Sequence, residues 1–296
     1  MSRYIEDHKE RFGVEPICQT LAVAPSSYYA ARSRQPSARS RSDAALKPEL
    51  QRVFEQSHDG TYGAYKLWRQ LKREGFQAGR DRVARLMREL GLSGVKRDKS
   101  TRTTVPAPVG PRPEDKVHRQ FTAAAPNRLG VADLTYVHTW QGFVYVALVT
   151  DVFSRRIVGW KVSNSLHAEL PLDALEMAVW NRGEAGLEGL IHHSDRGSQY
   201  LSIVYTQRLA EFGAVASVGG KGSSFDNALA ESVNALYKAE VIRRRRSWRR
   251  LEEVELATLK WVDWWNHRRL HSACGDIPPA EFEAMFYSNQ PQAPAA

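Results

Sequence analysis

The sequence predicts an α/β protein, in which a mixed five-stranded sheet with flanking helices follows small basic all-α modules. Helical spacings occupy the first part of the chain, strand patterns begin at Arg128, and strands then alternate with helices after the third strand. The predicted domains are a helix-turn-helix-like segment, a basic helical module, a linker, the α/β core with its C-terminal helix and a disordered tail, over residues 1–45, 46–95, 96–127, 128–285 and 286–296.

The bulk composition indicates a globular protein without a membrane segment. Hydrophobic residues make up 42% of the 296 residues, and no apolar run approaches the roughly 20 residues that a membrane span requires. The N-terminus is too polar for a secretory signal. The two cysteines, Cys18 and Cys274, lie far apart and form no CxxC pattern, so neither a disulfide framework nor a cysteine zinc site is expected. We therefore expect a soluble protein in the reducing cytoplasm.

The positive charge is concentrated in the N-terminal part of the chain. Residues 1–120 contain 24 Lys and Arg against 14 Asp and Glu, whereas residues 121–296 contain 18 against 19. A local exception is the run "RRRRSWRR" at residues 243–250. Such segments bind phosphate backbones, although a solvated helical surface is equally consistent with any single run.

Two helical pairs are predicted in the basic part. Residues 13–32 indicate a helix, a turn near Pro25 and a second helix capped by Ser26 or Ser27, which is a helix-turn-helix outline that ordinary helical hairpins share. Residues 62–94 carry apolar residues at helical spacing, with Gly75 and Gly91 as stops.

The core begins with three strands joined by short links, which predicts an antiparallel meander. After them the patterns indicate helix, strand, helix, strand and helix. The three strands cover 128–137, 142–151 and 155–163, and the later elements cover 166–182, 189–194, 200–213, 214–218 and 226–242.

Three acids stand where these elements can form a site. Asp133 lies inside the first strand between apolar neighbours, and Asp195 ends the fourth strand, where α/β sheets build ligand sites. Glu231 lies in the first turns of a helix that Asp226 or Asn227 caps. Converging carboxylates repel each other and require cations. Mg²⁺ or Mn²⁺ fits, and a pair of ions about 3.5–4 Å apart supports phosphoryl transfer.

This arrangement resembles the DDE triad of ribonuclease H-like polynucleotidyl transferases. Five motifs resemble, in their order and spacing, the OrfB-type transposase of the insertion sequence three family. They are "ADLTYV", "YVALVTDVFSRRIVGW", "HSDRGSQY", "SSFDNALAESVNALYKAE" and "WWNHRRLHSACGDIPPAEF". The N-terminal "ICQTLAVAPSSYYAAR" and "GTYGAYKLWRQLKREG" also match its helical modules. The resemblance covers nearly the whole chain and implies a ribonuclease H-like fold and a bacterial, nucleoid-associated enzyme.

The resemblance assigns catalysis and metal ligation to Asp133, Asp195 and Glu231. It also selects Lys238, which two helical turns place on the same face as Glu231, where it can hold a DNA phosphate. Further candidate DNA-binding residues are Arg196, Lys221, Arg243, Arg244, Arg268 and Arg269.

Other residues allow simpler interpretations. Asp151 competes for the first acidic position, but we interpret it as a turn former before the third strand. His192 and His193 lack a matching cluster and are expected to support the site from the strand. The tryptophans Trp261, Trp264 and Trp265 are expected to pack inside the last helix.

The expected function is therefore DNA transposition through strand cleavage and strand transfer. The alternatives are a non-catalytic DNA-binding regulator or decayed transposase, and a ribonuclease H-like nuclease that cuts without joining. The expected partners are element ends, target DNA and further copies of the chain. Related elements often fuse an upstream reading-frame product to this part by frameshifting, so the chain is a candidate catalytic part of such a fusion.

Overall fold

The computed structural model describes residues 1–96, 113–183, 187–195, 197–219, 227–245 and 247–290. It divides the chain into two compact units, Met1–Leu50 and Gln51–Ala296. No helix of the described residues is long and apolar enough to cross a membrane. Cys18 and Cys274 are both free and buried.

The first unit contains α1 (Ser2–Phe12), α2 (Val14–Thr20), α3 (Pro25–Ser33) and the beginning of α4 (Ala38–Gln56). Its core is formed by Ile5, Ile17, Cys18 and Tyr28. The predicted helix pair is present. The expected serine cap is wrong, because α3 begins at Pro25 itself and proline suits the first helical position.

The helix α4 begins inside the Ser- and Arg-rich stretch at residues 33–42. The Ser37 hydroxyl accepts a hydrogen bond from the Ser40 N–H at 3.1 Å, which is the bond of an N-capping residue. A cap followed by good helix formers therefore starts the helix in a segment whose polarity suggests a loop.

The second unit begins with the second predicted helical pair, α5 (Ala64–Arg73) and α6 (Arg80–Glu89). Both helices end near glycines with positive φ, 90° at Gly75 and 68° at Gly91, which confirms the predicted stops. The apolar residues at helical spacing are buried as expected: Leu67, Leu71, Val83, Leu86 and Met87.

The sheet contains β1 (Leu129–Thr139), β2 (Gly142–Asp151), β3 (Ile157–Ser163), β4 (Ile191–Ser194) and β5 (Val215–Val218). The strand order is β3-β2-β1-β4-β5. The first three strands are antiparallel, and β4 pairs in parallel with both β1 and β5. The predicted meander and the mixed five-stranded sheet are thus confirmed.

The helices α7 (Glu169–Arg182), α8 (Ile203–Glu211) and α9 (Ala228–Glu240) cover the two faces of this sheet. They are followed along the chain by α10 (Leu251–His267) and α11 (Pro279–Ser288). Along β1, alternate residues enter two different cores. Ala132 belongs to the larger core with Leu175 of α7 and Leu209 of α8, whereas Val131 belongs to the smaller core with Ala230 of α9. Residue 133 consequently shares the α9 face with Val131.

The helix α10 closes the free edge of β3. The Asn266 amide donates to the Ile157 carbonyl at 2.8 Å and accepts from its N–H at 2.9 Å, so the side chain replaces a neighbouring strand. Trp261, Trp264 and Trp265 are buried, and the prediction that they pack is confirmed. The helix α11 extends to Ser288, whereas the disordered tail was expected from residue 286.

Several arginines of the basic helical module are already paired with acids of the C-terminal part. Arg69 lies 2.9 Å from Asp276, and Arg73 lies 2.8 Å from Glu281. The Tyr65 hydroxyl also donates to Asp276 at 2.6 Å. Part of the positive charge that the sequence predicted to bind DNA therefore forms ion pairs between α5 and the C-terminal part of the chain.

Candidate active site

The site begins with the register between β1 and β4. Ala132 pairs with Ser194 at the last position of this parallel ladder. Asp133 directly follows Ala132 in β1, and Asp195 directly follows Ser194, the last residue of β4. Both aspartate side chains are half-buried. Residues at equal register in parallel strands point to the same face. The two carboxylates therefore lie side by side where β4 ends and β1 continues.

Each carboxylate is oriented by N–H donors. Asp133 Oδ1 accepts from the Leu134 N–H at 2.9 Å, and its Oδ2 accepts from the side-chain amide of Asn234 at 2.8 Å. Asp195 Oδ1 accepts from the Gly197 N–H at 2.9 Å. A Cβ on residue 197 would lie only 3.0 Å from that same oxygen, so glycine permits the close approach.

The electrostatics of the pair favour a bound cation. Burial, followed by the nearby charge of Asp195, raises the pKa of Asp133 to about 7, although its two N–H donors oppose the shift. Glu231 adds a smaller contribution in the same direction. Burial also raises the pKa of Asp195. Neighbouring carboxylates make each other harder to ionise, and a divalent cation removes that penalty.

Glu231 lies on the exposed side of the first turn of α9. The helix is fixed to β1 by two asparagines, because Asn227 donates to the Ala132 carbonyl at 3.0 Å and Asn234 donates to Asp133. Asn227 occupies the N-cap position, but its side chain bonds to the strand rather than to the helix. The other predicted cap, Asp226, lies outside the described residues.

The donor set is suited to Mg²⁺ or Mn²⁺ in chemistry, since all three groups offer oxygen ligands. Within the described ranges, however, no three His, Cys, Asp or Glu side chains are close enough together to hold a metal ion. The two strand carboxylates converge, and Glu231 lies near enough to influence the pKa of Asp133 but not to complete a three-ligand group.

Lys238 lies on the same side of α9 as Asn234. Its ammonium group lies 4.8 Å from the centre of the Tyr136 ring. Burial lowers the pKa of Lys238, and the negative charge of Asp133 opposes this shift. The structure therefore brings this lysine within electrostatic range of Asp133.

The other candidate DNA-binding residues are more scattered. Arg196 and Lys221 lie outside the described residues. Arg243 is exposed, and Arg244 donates to the carbonyl of His58 at 2.9 Å. Arg268 is exposed and forms an ion pair with Asp263 at 3.0 Å.

Arg269, also predicted to bind DNA, lies in a different environment from these exposed arginines. Its side chain is buried, and its guanidinium pairs with Glu240 and stacks near Trp265, with the charge centre 4.7 Å from the ring. This arrangement leaves no exposed cation for a phosphate. An arginine inside a basic-looking run is indistinguishable in sequence from its exposed neighbours.

The residues that received simpler interpretations behave as expected. Asp151 Oδ1 accepts from both the N–H and the hydroxyl of Ser154, at 2.8 and 2.9 Å, which is the turn before β3. His192 and His193 are buried in β4 and bond to Tyr205 and Ser217. Their placement in the strand is as expected, and their support of the site stays a prediction.

Sequence reasoning missed the hydrogen bonds that Asn227 and Asn234 make to β1. Asn234 touches the carboxylate directly, and its signal was its spacing, since it follows Glu231 by three residues and so shares its face. Asn227 was noticed only as a cap, because a side chain that crosses to another element leaves no local pattern.

Comparisons with known proteins agree with this architecture. Residues 123–224 and 214–279 match two models described as integrase core domain, and residues 41–100 match the HTH-like domain. A putative transposase for insertion sequence element IS986/IS6110 from Mycobacterium tuberculosis (strain ATCC 25177 / H37Ra) is 53% identical over 279 residues, which cover 93% of this chain and 100% of that protein.

Transposase InsF for insertion sequence IS3A from Escherichia coli (strain K12) is 31% identical over 283 residues, which cover 95% of this chain and 97% of the relative. Among solved structures, the HTLV-2 integrase catalytic core domain in complex with magnesium aligns with a TM-score of 0.42 and 14% identity, over 54% of this chain and 98% of the viral chain.

The sheet order and the matches to the integrase core place the protein among the polynucleotidyl transferases with a ribonuclease H-like α/β core, as predicted. Within that class, the chain belongs to the OrfB-type transposases of the insertion sequence three family.

Proposed function

We propose that this transposase hydrolyses a phosphodiester at the end of its element with water and then joins the freed 3′ end to target DNA. In the second step the 3′-hydroxyl attacks the phosphorus of a target phosphodiester, and the 3′-oxygen of the target strand leaves as a hydroxyl. Both steps use Asp133, Asp195 and Glu231 as metal ligands. The observation that carries the proposal is the β1–β4 register, which sets Asp133 beside Asp195 under a helix that bears Glu231.

The metal ligands come from three elements. Asp133 and Asp195 contribute carboxylates from neighbouring strands, and Glu231 contributes a third from α9. Two Mg²⁺ or Mn²⁺ ions held there would supply positive charge for the attacking oxygen, the leaving oxygen and the phosphoryl group. Neither step requires a covalent enzyme intermediate, because positioning and charge supply the catalysis.

The neighbouring residues have distinct tasks in this proposal. Asn234 holds Asp133 through a bond to Oδ2, and the Gly197 N–H holds Asp195 through Oδ1. Because the pKa of Asp133 is raised to about 7, this carboxyl group loses its proton when it becomes a ligand. Lys238 binds a DNA phosphate next to the carboxylates.

The proposed partners follow from the strand-transfer reaction. Element ends and target DNA are the substrates. Joining two ends requires that they be held together, so we infer that several copies assemble on DNA. We also propose that an upstream reading-frame product, when fused to this chain, supplies recognition of the element ends.

The test is a cleavage and joining assay with Mg²⁺ on a plasmid carrying the DNA that flanks this gene. The chain is assayed alone and with its upstream frame supplied, in the wild-type form and as Glu231→Gln. We expect the variant to lose cleavage and joining and to retain DNA binding. The matched control is Glu252→Gln, which changes an exposed glutamate in the first turn of α10 and should retain activity.

Each outcome has a defined meaning. Cleavage retained in Glu231→Gln would exclude the assigned triad. Cleavage without joined product would favour a ribonuclease H-like nuclease. Firm DNA binding with no cleavage, even with the upstream frame supplied, would favour a non-catalytic regulator or a decayed transposase.

A further inference from the structure

The hairpin between β1 and β2 exposes a group of aromatic side chains. Tyr136, Trp140 and Phe143 have exposed fractions of 39%, 67% and 51%. Phe143 makes edge-to-face contacts with Tyr136 and with His138, each with ring centres 5.5 Å apart. We call these four residues the hairpin aromatic surface. Folding leaves this apolar area in water, and such patches commonly mark binding sites.

Cations lie over two of these rings. The Arg249 guanidinium lies 5.2 Å from the centre of the Trp140 ring, and the Lys238 ammonium lies 4.8 Å from that of Tyr136. The two cations come from different segments of the chain, the basic run and α9. The surface therefore alternates flat π faces with positive charge.

The basic run is fixed to the hairpin by its own tryptophan. The Trp140 N–H donates to the Trp248 carbonyl at 3.0 Å. The Trp248 side chain is buried, and its indole N–H donates to the Ile242 carbonyl at 3.1 Å. With Trp248 anchored, its neighbours Arg249 and Arg250 are exposed beside the hairpin. The basic run is thus held in place along the edge of the hairpin aromatic surface.

This combination fits one kind of occupant. Bases of a single strand stack on aromatic side chains while cations hold the phosphates, and the binding tolerates any sequence because every base has a π face. In duplex DNA the faces of the bases are covered by their neighbours, so stacking requires unpaired bases. Charge complementarity likewise favours a polyanion over an apolar protein surface.

Lys238 relates this surface to the carboxylates, because its ammonium lies over the Tyr136 ring and is also influenced by the charge of Asp133. Asp133 and Trp140 are seven residues apart along β1 and its turn, which corresponds to roughly 23 Å of extended strand. A stacked nucleic-acid strand rises 3.4 Å per nucleotide, so about seven nucleotides span this length. Unpaired bases within that distance of the cut could reach the surface.

We propose that the hairpin aromatic surface and Arg249 bind unpaired bases of the DNA strand next to the phosphodiester that is cut. The choice of DNA as the ligand rests on the proposed function. The binding itself requires no catalysis.

The test is fluorescence anisotropy with a fluorescein-labelled 15-nucleotide single strand and the corresponding duplex, in EDTA. Trp140→Ala should weaken single-strand binding about five- to hundredfold, the effect of losing one stacked base. Duplex binding should change less than twofold. The matched control is Trp180→Ala, because Trp180 is 88% exposed on α7, away from the hairpin. It should leave both affinities unchanged.

A second pair of variants tests the cation. Arg249→Ala should weaken single-strand binding more than Arg250→Ala, since Arg249 lies over Trp140. Trp140→Ala retains the backbone N–H that holds the basic run. Melting temperatures equal to that of the wild type would verify that the variants fold.

Three results would overturn the proposal. They are unchanged single-strand binding in Trp140→Ala, an equal loss for duplex and single strand, and an altered oligomeric state in Trp140→Ala with unaltered DNA binding. The last result would assign the surface to a second copy of the chain. Because the assay contains no metal, a wild-type protein that binds single strands but cannot cut would contradict the proposed function and leave this inference standing.

Discussion

Two acidic clusters of the core differ in how their charge is balanced. Glu283 of α11 is buried and receives Arg182 at 2.8 Å and Arg156 at 3.1 Å, and Arg182 lies 3.9 Å from Asp151. Burial alone would raise the pKa of Glu283, but the bonds and charges of these arginines lower it overall. The cluster contains its own cations.

The pair of Asp133 and Asp195 has a different environment. The largest influences on their pKa values are burial, a second carboxylate and N–H donors, rather than an arginine. Keeping two half-buried carboxylates ionised without a paired cation costs stability, and a cation bound from solution removes that cost. The difference suggests that the arginine-paired cluster stabilises the fold, whereas the carboxylate pair is kept for a ligand.

The largest expected effect comes from changing the carboxylate pair. Asp195→Asn should reduce DNA cleavage by at least about 100-fold, because even the partners that orient a metal ligand are worth about 10- to 100-fold. The melting temperature should not fall, since the change removes a repulsive neighbour of Asp133. Cleavage assays and thermal denaturation check both parts. A stable variant with wild-type cleavage would remove Asp195 from the site.

The opposite pattern is expected for the arginine-paired cluster. Arg182→Met leaves Glu283 and Asp151 buried with less compensation, which should cost about 3–5 kcal/mol of stability. In thermal denaturation, the melting temperature of Arg182→Met should fall by several degrees. The control Arg250→Met, which changes an exposed arginine, should keep the wild-type melting temperature. An unchanged melting temperature for Arg182→Met would show that this cluster does not stabilise the fold.

The two clusters should respond to pH with opposite signs. The folded-state pKa of Asp133 is raised from 3.8 to about 7, so the native state binds the extra proton and stability without metal falls as pH rises from about 4 to 7. The pKa of Glu283 is lowered, so its contribution is present above its unfolded pKa of 4.5 and is lost on further acidification.

Melting temperatures measured in EDTA across this pH range provide the comparison. Asp133→Asn should flatten the decline between pH 4 and 7, while the loss of stability in acid remains. An identical pH profile for wild type and Asp133→Asn would contradict the assigned shift.

The smallest expected effect is stabilisation by metal. Mg²⁺ that binds the native carboxylates should raise the melting temperature, by an amount that grows with the logarithm of its concentration above Kd. The rise should disappear in Asp133→Asn and persist in Arg250→Met. A rise of equal size in Asp133→Asn would indicate that the metal binds elsewhere.

The succession of strands and helices along the chain and the positions of the acids were predictable because they depend on local patterns. Short β-rich and apolar runs indicate the strands, and Asp133 interrupts one of these runs. The adjacency of β1 and β4 was not predictable in this way, because it depends on how distant segments pair. The beginning of α4 was not predictable from composition, since Ser37 acts as a cap within a polar stretch. The pairing of Arg269 with Glu240 depends on packing between elements that are distant in the sequence. The charge of Arg269 alone does not indicate that such a partner exists.

The most direct test of the carboxylate site is the binding of Mn²⁺, followed by electron paramagnetic resonance of the free ion. Wild-type protein and Arg250→Met should remove Mn²⁺ from solution equally, and Asp133→Asn should remove much less. Equal binding by wild type and Asp133→Asn would contradict the account, because the metal would then be held by residues other than the carboxylate pair.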